Sequence, residues 1–86
     1  MYKIEIGSKF DQKLKSIAKR DRKYQIKVKR IVELLQVDID HPSLRMHKLS
    51  GTKYYSISVD KSIRIILTIE RNTVFLVKIG KHEEVY

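Results

Sequence analysis

A chain of 86 residues suffices for one ordinary domain and is too short for a two-domain enzyme, so residues 1–86 read as a single unit. Its composition, 42% hydrophobic with three glycines and one proline, excludes disorder and leaves little material for long loops; with no cysteine, disulfides, thiolate metal sites and thiol nucleophiles are excluded too. Nineteen Lys and Arg against ten Asp and Glu give a net charge of +9, which points to polyanionic partners.

The opening residues carry no basic stretch followed by an apolar run, and nothing approaches the roughly 18 apolar residues of a membrane span. The expectation is a cytoplasmic protein with no membrane contact. Tyr2 to Ile6 alternate as a short N-terminal strand before Gly7. Ser8 then opens a helix, its side chain predicted to accept the Asp11 amide, and Phe10, Leu14, Ile17 and Ala18 form the apolar stripe. A second stripe follows at Tyr24, Val28, Ile31, Val32 and Leu35. Both stripes share a seven-residue register that only Asp21 breaks. One helix of about 30 residues would be far above the usual length, so Asp21 is read as the N-cap of a second helix and the pair as a helical hairpin. No Gly or Pro marks the turn, which keeps the single long helix open as an alternative.

Residues 9–30 hold ten basic side chains against two acids. A surplus of one sign on this scale reads as a surface for phosphate or for an acidic protein. The second helix should end at residues 37–40, because Pro42 disfavours helical geometry at His41. Asp38, Asp40 and His41 read there as solvated residues closing the helix, not as metal ligands, and neither a metal nor another cofactor is expected. After Gly51 the period changes to two: Tyr55, Ile57 and Val59, then Ile63, Ile65, Leu67 and Ile69, then Phe75, Val77 and Ile79 mark a three-strand antiparallel meander. The turns fall at residues 60–62 and 71–73. The last two strands are apolar on both faces, as central strands are. The fold class is α+β in the order βααβββ.

The residues able to do chemistry lie almost entirely in the second half: His47, Lys48, Arg64, His82 and Tyr86. No glycine-rich phosphate loop, nucleophile elbow or close histidine spacing accompanies them. RNA can be cleaved without a metal when its 2′-hydroxyl attacks the adjacent phosphate, given a base, an acid for the leaving oxygen and a cation for the crowded phosphorane. His, Tyr and Arg can fill those roles. Arg64 interrupts an apolar strand, where a guanidinium is costly unless it faces water, a carboxylate or a ligand.

Together, the order βααβββ, the basic hairpin, His47-Lys48-Leu49-Ser50-Gly51, Arg64 in the third strand and the segment Gly80-Lys81-His82-Glu83-Glu84-Val85-Tyr86 resemble the RelE/ParE superfamily of toxins from toxin–antitoxin pairs, in particular its RelE/YafQ-like branch. The resemblance implies a small sheet carrying a helical hairpin, metal-independent cleavage of messenger RNA on the ribosome, and an acidic antitoxin as silencing partner. It makes Arg64 the phosphate clamp, His82 the general acid, and Tyr86 or His47 the base or base-stacking group. RNA contacts are expected from Lys13, Lys23 and Lys27 on the hairpin and from Lys48, Lys53, Lys61 and Lys81. Where relatives carry lysines or a histidine on the second strand, this chain has Ser56 and Ser58, which can hydrogen-bond a phosphate but supply no charge. The alternatives are a ParE-like inhibitor of DNA gyrase and a catalytically degenerate RNA- or ribosome-binding relative.

Overall fold

The computed structural model describes residues 1–86. Strand β1 (Lys3–Ile6) leads into helices α1 (Ser8–Arg20) and α2 (Lys23–Val37), a 3₁₀ turn η1 (Pro42–Leu44), strands β2 (His47–Lys48), β3 (Tyr55–Ser58), β4 (Ile63–Glu70) and β5 (Thr73–Lys81), and a last short helix α3 (His82–Val85). All five strands form one sheet in the order β1-β5-β4-β3-β2. The meander β3-β4-β5 is antiparallel as predicted, and β1 returns to pair in parallel with β5. The helical hairpin lets it do so, since a parallel pair requires a long crossover.

The apolar stripes explain the packing. Phe10 from α1 and Val28 and Leu35 from α2 are buried against Ile57, Ile65, Leu67, Val74, Leu76 and Ile79 of the sheet, with Leu14, Ile17, Tyr24 and Ile31 packed at the margin. A bulge at Ile66/Leu67 shifts the β4–β5 register, so the core-facing parity of β5 changes along its length. The hairpin, not the long helix, is present. The Asp21 backbone is extended (φ −149°, ψ 104°) and its amide closes α1 on the Ile17 carbonyl at 3.0 Å. Its carboxylate accepts the Lys23 amide at 3.1 Å, so one residue ends the first helix and satisfies the start of the second.

Four expectations are corrected. Asp21 is not the N-cap of α2: Arg22 holds that position, without a side-chain bond. Ser8 does not cap α1; Gly7 occupies that position without a side-chain bond, and the Asp11 amide bonds the Gly7 carbonyl. The connection after Pro42 is not wholly irregular, because His47 and Lys48 add a fifth strand at the β3 edge. The segment after β5 coils into α3, which strand periodicity could not reveal.

The hairpin is fastened to the sheet by a polar clasp. The Tyr24 hydroxyl donates to Asp60 Oδ2 at 2.7 Å, while Asp60 Oδ1 accepts the Ser62 and Ile63 amides at 2.8 and 2.9 Å and Lys27 Nζ lies 3.5 Å away. Burial pushes the Asp60 carboxyl up, but the Tyr24 hydroxyl, the two amides and Lys27 outweigh it and bring the carboxyl down from 3.8 to about 2. The hydrogen bond to Asp60 is the first cause raising Tyr24 from 10.0 to about 12, followed by burial and by the Asp60 and Asp21 charges. The carboxylate's contribution is therefore complete above pH 3.8 and lost as pH falls through about 2; the hydroxyl's is complete below pH 10 and lost as pH rises through about 12. With solvent screening allowed for, Tyr24→Phe should lower unfolding free energy by about 1–2 kcal/mol at neutral pH. In urea titrations the gap to the parent should narrow between about pH 4 and pH 2; a constant gap would mean that the carboxylate is not the partner that matters.

Candidate functional site

Strand register gives the sheet two unlike faces, because residues directly opposite one another in a ladder share a face. Ile57, Ile65 and Ile79 form one row across β3, β4 and β5 and are buried under the hairpin. The adjacent rows, one residue away along each strand, point to the opposite face: Ser58, Arg64 and Gly80, then His47, Ser56, Ile66 and Lys78. No helix of the hairpin covers this second face. Helix α3 folds back on β4 and β5 instead.

Gly80 permits that fold-back. A Cβ at this position would come 3.1 Å from Glu84 Oε1 and 3.4 Å from Val85 Cγ1, so a side chain would crowd the Glu84 carboxylate that fastens α3. Glu84 then holds the helix down: Oε1 accepts the Lys81 amide at 2.8 Å and Oε2 pairs with Lys13 Nζ of α1 at 3.2 Å. The Lys81 amide and then the Lys13 ammonium hold Glu84 below its ordinary carboxylate value. The sequence reading passed over Glu84. The only signal for it was a glycine inside a strand, three residues before a pair of glutamates.

Docked in this way, α3 presents His82 and Tyr86 one helical turn apart, their rings edge to face with centroids 4.3 Å apart. The Tyr86 hydroxyl donates to Ser56 Oγ. Arg64 Nη1 reaches the same oxygen at 3.5 Å, the outer limit of a hydrogen bond. Ser56 is fully buried at 0% exposure, so its hydroxyl is closed to RNA and works inward as the shared acceptor of Arg64 and Tyr86. That corrects its expected role as an RNA contact. Arg64 is half-buried and no carboxylate lies within 4.0 Å of it. Its charge is not offset by any carboxylate. His82 is exposed, and Tyr86 is 48% exposed.

The remaining candidates divide. His47 lies opposite Ser56 at the sheet edge, exposed, without a hydrogen bond or ring contact to Arg64, His82 or Tyr86. Ser58 donates to the Asp60 carbonyl at 2.8 Å and so serves the β3–β4 turn. Lys48, Lys61 and Lys81 are exposed and unpaired, and Lys53 sits 5.8 Å from the Tyr54 ring centroid. On the hairpin, Lys13, Lys23 and Lys27 are each engaged by a carboxylate, from Glu84, Asp21 and Asp60. The cations left free there are Lys9, Lys19, Arg20, Arg22, Lys29 and Arg30. His41, set aside above as a metal ligand, accepts the Ser43 amide on Nδ1 at 3.1 Å, and no three His, Asp or Glu side chains gather to hold a metal ion.

No family profile and no curated protein sequence matches this chain. Solved structures do. A metal-bound toxin from Helicobacter pylori superposes with a TM-score of 0.80 at 27% identity, over 100% of both chains. The toxin in the Escherichia coli DinJ–YafQ complex superposes at 0.78 with 20% identity, over 100% of this chain and 99% of that one. The Staphylococcus aureus YoeB–YefM complex matches at 0.71 with 17% identity, over 95% and 98%. The fold is that of the RelE, YafQ and YoeB toxins. In this RelE-like fold the sheet face opposite the hairpin, with α3 folded onto it, brings Arg64, His82 and Tyr86 together. No helix is long and apolar enough to cross a membrane.

Proposed function

We propose that this chain is the toxin of a type II toxin–antitoxin pair, acting in the cytoplasm as a ribosome-dependent, metal-independent endoribonuclease on messenger RNA. The observation that carries this reading is the convergence of an uncompensated Arg64 and the His82–Tyr86 pair on one sheet face around Ser56. Arg64 takes the scissile phosphate. A base, Tyr86 or His47, accepts the 2′-hydroxyl proton as the 2′-oxygen bonds to phosphorus. The bond to the 5′-oxygen breaks and His82 protonates that oxygen, leaving a 2′,3′-cyclic phosphate and a 5′-hydroxyl. Primer extension on a message translated in a purified system tests this directly. Cuts within the translated region are expected; an uncut message with inhibited DNA gyrase would overturn the reading.

The hairpin supplies positioning charge, since cations on exposed helix faces neutralise phosphates without reading sequence. The free cations should carry more of it than the paired ones. Replacing Lys19, Arg22 and Lys29 together with Gln should weaken ribosome binding and flatten its salt dependence more than the same change at Lys13, Lys23 and Lys27. Equal losses would show that the ion pairs open on binding.

The silencing partner is an acidic antitoxin with interspersed apolar residues. The charge excess of +9 and the crystallised complexes of similar folds with DinJ and YefM support this. Co-expression with the neighbouring small reading frame should recover it by affinity purification.

A further inference from the structure

At the corner between η1 and β2, on the edge of the sheet, lies a cleft of about 360 Å³. Its apolar wall is Ile39, Met46 and Tyr55, all packed against the core. Its polar wall is His41, Arg45 and Lys48, with Asp40 as the single acid. Neither Arg45 nor Lys48 has a carboxylate within 4.0 Å.

Two local features give this wall a direction. Arg45 follows η1 with left-handed backbone angles, φ 49° and ψ 43°, its amide closing the turn on the Pro42 carbonyl. Glycine or asparagine adopts that conformation with little strain, so the backbone gives no reason for an arginine, a residue that lines the cleft. His41 Nδ1 accepts the Ser43 amide at 3.1 Å. The Ser43 hydroxyl lies 2.7 Å from the same nitrogen, so Nδ1 is engaged within η1 and Nε2 is the ring nitrogen left for a ligand. The cleft thus offers two cations and an imidazole nitrogen beside an aromatic ring and a thioether, a combination suited to a phosphate and a stacked base.

The cleft wraps the β2 edge: His47 lies on the face that carries Arg64, whereas Lys48 and Tyr55 lie in the row of Leu67 on the hairpin side. Strand β2 sets His47, which also lines the cleft, opposite Ser56, the acceptor of the Arg64 guanidinium. Two strand spacings, about 10 Å, separate β2 from β4. We infer that this cleft is a nucleotide subsite, seating a neighbour of the scissile nucleotide with its phosphate on Arg45, Lys48 and His41 Nε2 and its base against Tyr55 and Met46. The assignment of a neighbouring nucleotide rests on the proposed RNA cleavage; the binding of a nucleotide by the cleft does not.

The test is titration of the full chain with adenosine 5′-monophosphate, followed by the amide resonances of Arg45 and Lys48 and the His41 ring nitrogens. A mononucleotide has no scissile phosphodiester, so the result is independent of whether the chain cuts RNA. Saturable shifts confined to the cleft are expected, weaker with inorganic phosphate alone. Arg45→Gly suits the left-handed backbone and should keep the melting temperature close to the parent's while reducing affinity about tenfold or more. Lys48→Gln should also weaken binding, and Asp40→Asn should strengthen it. Absence of shifts at millimolar nucleotide, unchanged affinity in Arg45→Gly, or shifts with a carboxylate-rich peptide but not with nucleotide would overturn the inference. Nucleotide binding without any message cleavage would count against the proposed activity alone.

Discussion

Arg64→Ala is expected to lower message cleavage by about two to three orders of magnitude, the usual loss when one preorganised stabiliser of transition-state charge is removed. The cost falls on the chemical step because Arg64 has no carboxylate partner and only a 3.5 Å contact to Ser56; little structural energy is attached to it. Its melting temperature should stay near the parent's. His82→Ala should cost about 10²- to 10⁴-fold, the range for a general acid, and should change the pH–rate profile on the limb reporting the acid. Tyr86→Phe keeps the edge-to-face pairing with His82 but loses the hydroxyl on Ser56, so it should fall between the parent and Tyr86→Ala. Single-turnover cleavage on programmed ribosomes, with binding measured separately, checks all four. Parallel losses of folding and cleavage would place these residues in the scaffold instead.

Ser56→Ala tests a residue with no access to substrate. Its oxygen is the common acceptor of Arg64 and Tyr86 at 0% exposure, and removing it frees both groups to turn to solvent. A drop in kcat of about 10- to 100-fold with KM little changed is expected, since loosened geometry affects the transition state more than binding. The Tyr86 ring contacts should become averaged in the NMR spectrum. Ser56→Thr keeps the hydroxyl and should restore part of the rate. A kcat within twofold of the parent in Ser56→Ala would show that the serine only fills space.

Much of this was legible in the residues because it depends on neighbours in sequence. The two apolar stripes, the break at Asp21 and the period of two after Gly51 each report a local geometry, and each element formed where its pattern placed it. Arg64 stood out for the same reason: a cation inside an apolar alternation must face something other than the core.

What failed were inferences about which neighbour a polar side chain meets. Ser8 had the sequence of a cap, yet Gly7 took the place. Lys13, Lys23 and Lys27 read as free charge, yet Glu84, 71 residues away from Lys13, and Asp60, in the turn between β3 and β4, neutralise two of them. Ser56 read as a weakened substitute for a lysine, and register turned it into the hinge between Arg64 and Tyr86.

The sequence by itself thus determined the elements, the sign of the charge and the kinds of groups available for chemistry, since periodicity and composition are properties of the chain alone. Tertiary structure decided the rest: the parallel return of β1 to β5, the face on which Arg64 emerges, the fold-back of α3 over Gly80 and the cations that remain unpaired. Each of these depends on groups brought together from distant parts of the chain, where a one-residue shift in strand register would move every side chain to the opposite face.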